Sequence, residues 1–297
     1  MQSSRVRLLF VSGKGGVGKS LTAAAIALAE SKRGRRVLLV EIGESSYFKD
    51  CWHLPTVGYQ PVRTGFGFDL ALWNAEACLH EYVLHYLKVE SLYRLFFANR
   101  VMRTLINVAP GLSEIAILGK LTSGVRHVGP VLDYDLIVVD SFATGHALSM
   151  LKAPIGLMEA IKYGPMGSHS RDIAAVLRDS ELTGYTVVTL LEELPVTEAL
   201  EFAEQIKSIY SLDCDFIANK ELAPPLSLER LTQLEQGLPG ADPLKEFSRH
   251  ILAVMRRQSE LIGLLRGRVK TLIRLPMVFQ QDATEVTRVL GESLRAN

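Results

Sequence analysis

Apolar residues in this chain gather in two ways. Short continuous runs recur at positions 6–11, 36–42, 67–73, 135–140, 185–191, 214–219 and 270–275. Between them apolar residues return every three or four positions, at 21–32, 75–88, 91–108, 112–128, 148–163, 171–177, 195–209, 249–268 and 282–294, with a more polar helical stretch leading to Gly237. Continuous runs suit strands buried on both faces, and the 3.6-residue return marks helices with one buried side. Strand and helix alternate, so the fold class is α/β, a mostly parallel sheet sandwiched by helices. Residues 1–297 read as one domain. A helical subdomain is inserted at 75–130, with 147–180 contributing. Positions 45–61 are irregular and rich in turn residues, and read as a loop.

Composition narrows the setting. The 297 residues are 48% hydrophobic and 22% charged with a formal net charge of +1. That balance gives no reason to expect nucleic acid as a ligand. No uncharged apolar run approaches the ~18–20 residues of a membrane span. Cys51, Cys78 and Cys214 are widely spaced and form neither a disulfide framework nor a Cys-x-x-Cys site. Met1 to Arg7 leads directly into the first strand without signal-peptide architecture. The expected setting is the cytoplasm, with no stable membrane insertion and peripheral membrane association left open.

Candidate chemistry begins where the first strand meets the first helix, at Gly13-Lys14-Gly15-Gly16-Val17-Gly18-Lys19-Ser20-Leu21. Glycines there let consecutive backbone N–H groups converge on an anion, and the helix start adds its free N–H groups and positive dipole end. In such a loop Lys19 reaches the β- and γ-phosphates of ATP or ADP, and the Ser20 hydroxyl ligates Mg²⁺. Downstream, the run ending in Asp140 has the Walker B pattern, whose aspartate holds Mg²⁺ through water. Ser141 to His146 follows as a candidate switch segment, with Ser141, Thr144, Gly145 and His146 as its members and Gly145 as a flexible point. Glu41 ends the second strand on the ligand-binding edge of such sheets, where it orients a water or makes a strand-end salt bridge. Asn219 ends a later strand and either reads an adenine edge or ties down a turn.

The second lysine, Lys14, makes the loop similar to the deviant Walker A motif. Four anchors in order resemble the arsenite-pump and tail-anchored-protein-targeting ATPases, the ArsA/GET type: Gly13 to Ser20, Asp140 to His146, Glu192 to Glu198, and Ile217 to Lys220. The resemblance implies a P-loop ATPase that binds ATP with Mg²⁺ and closes as a dimer around nucleotide. Lys14 would reach the partner's nucleotide, Asn219 and Pro276 would contact adenine, and Glu41 would stand where the family has a water-positioning aspartate. It implies a homodimer or a heterodimer with a related ATPase, and a hydrophobic client or membrane receptor. The apolar helix at 91–108, with Phe96 and Phe97, is the candidate client surface. Three departures stand out. Glu41 is one methylene longer than aspartate, so hydrolysis is expected to be slow. Ser141, Phe142 and Ala143 replace Thr-Ala-Pro. The cysteines lie outside the motifs that pump subunits use, which disfavours metalloid transport.

Overall fold

The computed structural model describes residues 6–87, 111–161, 165–222, 227–237 and 243–296. Eight strands form one sheet: β1 (Leu8–Gly13), β2 (Val37–Ile42), β3 (Val62–Arg63), β4 (Asp69–Trp73), β5 (Leu136–Ala143), β6 (Thr183–Leu190), β7 (Asp215–Glu221) and β8 (Leu272–Pro276). Their order is β3-β4-β2-β5-β1-β6-β7-β8, and every neighbouring pair is parallel except the short β3–β4 edge. From β1 the chain crosses β5 to reach β2, and from β5 it crosses back over β1 to reach β6. This reversal places the C-terminal end of β1 where open α/β sheets bind ligands.

Successive strand residues point to opposite faces, which divides the core in two. Leu9, Val11, Leu39 and Val138 pack against α1 (Lys19–Lys32), α2 (Tyr47–Cys51) and the C-terminal α10 (Ala283–Ala296). Five consecutive residues of α1, Ala23 to Ala27, have no exposed surface, and the four alanines among them let α10 lie close. A Cβ on Gly291 of α10 would stand 2.8 Å from Leu28, so glycine is what that approach requires. Leu8, Phe10, Leu38, Val40 and Val139 face the other layer. It contains α3 (Ala75–Leu87), α4 (Leu112–Arg126), α5 (Thr144–Ala160), α6 (Pro165–Arg178), α7 (Glu193–Tyr210) and α9 (Pro243–Arg266), with α8 (Leu228–Gly237) against α9.

Several elements differ from the sequence expectation. The 45–61 loop contains α2, which Ser46 caps by accepting the N–H of Lys49 at 3.0 Å. A five-residue helix is too short to display a 3.6-residue period. β3, two residues long, is invisible for the same reason. Helices α6 and α9 begin earlier than their apolar pattern, at Pro165 and Pro243, where a fixed φ suits a first helical position. The candidate switch is regular structure: β5 runs on to Ala143 and α5 starts at Thr144. The helix expected at 91–108, with Phe96 and Phe97, lies outside the described residues. Among the described residues no helix is long and apolar enough to cross a membrane.

Candidate active site

The loop from Gly13 to Gly18 leaves β1 and enters α1 with tightly constrained glycines at both ends. A Cβ on Gly13 would come within 2.2 Å of the Val188 carbonyl oxygen on β6. At Gly18, φ is +90° and a Cβ would lie 2.5 Å from Asn219 Nδ2. Gly18 is also the N-cap of α1, where no side chain caps the first turn and no acidic residue competes for it. Those N–H groups and the dipole are available to an anion. Val17 is buried, and its carbonyl accepts a 2.8 Å hydrogen bond from Asn219 Nδ2. Lys19 Nζ folds back to donate to the Lys14 carbonyl at 3.2 Å. Burial lowers the Lys19 ammonium's pKa, while the Asp140 charge raises it.

Asp140 stands on the adjacent strand, in register with Val11 of β1 and Glu41 of β2. Immediately after it β5 carries one residue more than β1 between paired positions, a bulge of the kind that re-aims side chains beside active sites. Ser12 Oγ bridges that irregularity by donating to the Phe142 carbonyl at 3.1 Å. Burial pushes the Asp140 carboxyl up to about 6, against a hydrogen bond from Ser20 and the charge of Lys19. Its Oδ1 is buried and meets no hydrogen-bond partner among the described residues. An orphaned carboxylate oxygen costs free energy unless something binds it. With the Ser20 hydroxyl beside it, the donor set is hard oxygen, which fits a small divalent cation completed by phosphate and water.

Beside this centre, on the Ser20 side, is a cavity of about 490 Å³. Gly16, Gly18, Lys19, Ser20 and Leu21 line one end; Asn219, Lys220 and Pro276 line the other. Tyr47, Met277, Val278, Gln280, Val286 and Leu290 complete the wall, and none of these was legible as a site residue. They come from α2, the segment after β8, and α10, which only the packing of α10 on α1 brings to the loop. A second cavity, of about 600 Å³, opens between Arg36, Tyr59, Trp73 and Lys120 at the N-terminal side of the strands. It is larger, but its charged side chains pair with one another: Lys120 with Glu81, Arg36 with Asp133 and Asp135, Arg63 with Asp69. The smaller cavity has the uncapped helix end, and Ser20 in its wall is hydrogen-bonded to the orphaned carboxylate, so chemistry decides over size.

Not every expected residue turns toward the cavity. Lys14 points to α7, where its ammonium pairs with Glu198 at 2.7 Å. Glu41 is 4% exposed, and its carboxylate accepts from the Ser46 hydroxyl and from the N–H groups of Tyr47 at 2.7 Å and Phe48 at 3.2 Å. Burial raises its pKa, and those three hydrogen bonds oppose the shift. The strand-end salt bridge is absent among the described residues; the carboxylate caps a helix instead. His146 lies flat on Phe142, ring centroids 3.8 Å apart, and Gly145 sits in the first turn of α5 without a left-handed φ. Thr144 opens that helix, and Ser141, still in β5, is buried with its hydroxyl unpartnered among the described residues.

Comparison with known proteins agrees with this geometry. Residues 6–163 match the ArsA_ATPase family, described as "Anion-transporting ATPase". ATPase BagA of Mycobacterium tuberculosis is 31% identical over 305 residues, covering 96% of this chain and 87% of its own. A Halobacterium salinarum protein, whose given name is that of an arsenical pump-driving ATPase, is 26% identical over 95% of this chain and 46% of its own. An ASNA1-homologous ATPase of Plasmodium falciparum is 26% identical over 55% of this chain and 40% of its own.

Proposed function

The chain belongs to the anion-transporting ATPase family and is an ATP-hydrolysing P-loop enzyme, and from that premise we propose that it is a Mg²⁺-dependent, dimeric nucleotide switch handling a hydrophobic or membrane-protein client. The observation that carries the chemistry is the meeting of an uncapped α1 N-terminus, Lys19 and Ser20 at one cavity, with the orphaned Asp140 carboxylate hydrogen-bonded to Ser20 behind its wall. Backbone N–H groups of Gly15 to Ser20 hold the phosphates. Lys19 exchanges its bond to the Lys14 carbonyl for the β- and γ-phosphate oxygens, where its charge offsets that developing in the transition state. Ser20 and Asp140 would hold Mg²⁺, which neutralises phosphate charge when bound. Asn219 holds the loop through Val17 and, with Pro276, flanks the adenine. Water attacks the γ-phosphorus in line and ADP leaves. Lys14 completes the partner's site once it leaves Glu198. Residues 75–130, with 147–180, form the subdomain that responds to closure and carries the client.

The test is single-turnover hydrolysis with the wild type and Lys19→Ala. A loss of roughly 10²–10³-fold is expected, the usual scale for removing one preorganised charge at a transition state. Equal rates, or a wild type that binds no ATP, would sink the reading. A second reading is favoured by Glu41, whose carboxylate is engaged by α2. In it the protein binds ATP tightly, hydrolyses it slowly and pairs with a faster paralogue. Glu41→Asp separates the two. A large gain in turnover supports a slow switch limited by this side chain; little change supports an ordinary ATPase.

A further inference from the structure

Helix α2 is one and a half turns long, below the length at which a helix holds itself in water. Its first three N–H groups are satisfied from outside. Tyr47 and Phe48 donate to Glu41 Oε1, and Lys49 donates to Ser46 Oγ, whose hydroxyl donates to Glu41 Oε2. On the opposite side Phe48 is fully buried and stacks on Trp52 at 4.2 Å, and Trp52 packs against Phe66 and Phe68. Two anchors, one polar and one aromatic, therefore pin a turn that has no strength of its own. Between them Tyr47 is turned outward, 48% exposed, and lines the nucleotide cavity beside Gly16, Lys19 and Ser20. Its hydroxyl is hydrogen-bonded with the Cys51 thiol of the same helix, and the cavity wall it shares with Gly16, Lys19 and Ser20 is the phosphate end. An exposed aromatic ring on a rigidly held turn contributes little to the core and is well suited to binding.

We propose that Glu41 is a positioning residue and Tyr47 the group it positions: the carboxylate fixes the 46–48 turn so that the Tyr47 phenol contacts the phosphate end of the bound nucleotide. The inference rests on the reading of this cavity as the ATP site. It gives a reason for glutamate at position 41, because the longer side chain reaches two N–H groups and a hydroxyl at once. It also moves the influence of Glu41 from the attacking water to nucleotide affinity.

Steady-state ATP hydrolysis and ADP titration of the full chain decide the matter, with thermal melts to check folding. Tyr47→Ala is expected to raise KM for ATP and weaken ADP binding roughly tenfold, the scale of one hydrogen bond to a charged group. Tyr47→Phe should show part of that loss. Glu41→Ala should reproduce it, and the Glu41→Ala/Tyr47→Ala double variant should add nothing further, as for residues acting through one another. Glu41→Gln keeps an acceptor oxygen for both N–H groups and should stay within a few-fold of wild type. A Glu41→Gln variant that loses kcat about a hundredfold at unchanged KM would overturn the proposal and assign the carboxylate to the reacting water. Additive effects, or a Tyr47→Ala variant with wild-type constants, would overturn it too. Should Glu41→Ala fail to fold, Glu41→Gln and the two Tyr47 variants still decide. Lys19→Ala is run alongside. If it loses ADP binding while Tyr47→Ala does not, only the present inference fails; if neither changes binding, the nucleotide-site reading fails as well.

Discussion

At the scale of single residues, the phosphate loop separates glycines that are required from one that is not. Gly15 has no left-handed φ, and a methyl group in place of its hydrogen would meet nothing within 4 Å, so Gly15→Ala should leave the melting temperature within about a degree or two. Gly18 combines φ +90° with Asn219 at 2.5 Å, and a left-handed φ alone costs a non-glycine residue about 1–2 kcal/mol. Gly18→Ala should therefore lower the melting temperature and abolish ATP-analogue binding, measured by calorimetry. Lys14 offers a second residue-scale test. Its ion pair with Glu198 joins side chains about one-third exposed, which makes it worth about 1 kcal/mol or less. If Lys14 serves a partner's nucleotide, that pair must open first. Glu198→Gln is then expected to raise the nucleotide-dependent dimer fraction up to several-fold at fixed protein concentration, read by light scattering; an unchanged fraction would separate the pair from dimer formation.

At the scale of elements, the α3–α4 pair meets the sheet through a buried charge. Lys120 of α4, 7% exposed, pairs with Glu81 of α3 at 2.6 Å and sits 5.4 Å from the ring centroids of Tyr59 and Trp73. Removing one partner strands the other in a half-buried place, so Lys120→Ala should cost about 3 kcal/mol in denaturant unfolding. Helices α4 and α6 meet at His169, which is buried with Arg126 alongside. Burial first, and then the Arg126 charge, push the imidazole from 6.5 down to about 4, so it is neutral in the fold. The unfolded chain takes up the proton near 6.5. This contribution is complete above that pH and is lost as the pH falls from about 6.5 to about 4. Glu41 and Asp140, both raised by burial, act with the opposite sign in acid, so the comparison is between wild type and His169→Gln. The variant's melting temperature should fall less steeply over that window.

At the scale of the whole molecule, sheet order is what makes a site. Strands β1, β2, β5, β7 and β8 deliver Gly13, Glu41, Asp140, Asn219 and Pro276 to one edge because all run parallel. The proposed dimer closes over that edge, so the protein with an ATP analogue should run at twice the mass of the nucleotide-free protein in light scattering. A single mass under both conditions would remove the dimeric switch from the reading and leave the ATPase intact.

Continuous apolar runs and a 3.6-residue period were enough to place the seven principal strands and the described long helices, because each pattern is a local demand of two-faced or one-faced burial. The phosphate loop was equally legible, since Gly13, Gly18 and Lys19 answer to backbone geometry and charge within a few residues of one another. Short elements were not: α2 is held by Glu41, Ser46 and the aromatic packing of Phe48 and Trp52, and β3 by the neighbouring β4, so nothing in their own few residues announces them. The same holds for side-chain direction. That Asn219 clamps Val17, that Lys14 turns to Glu198 and that Glu41 caps α2 depends on contacts across 202, 184 and 5–7 positions respectively. The sequence by itself determined the fold class and the phosphate-binding loop. Only the tertiary structure decided where the carboxylate of Glu41 is directed, because a side chain's partner is chosen by packing and not by its own position in the chain.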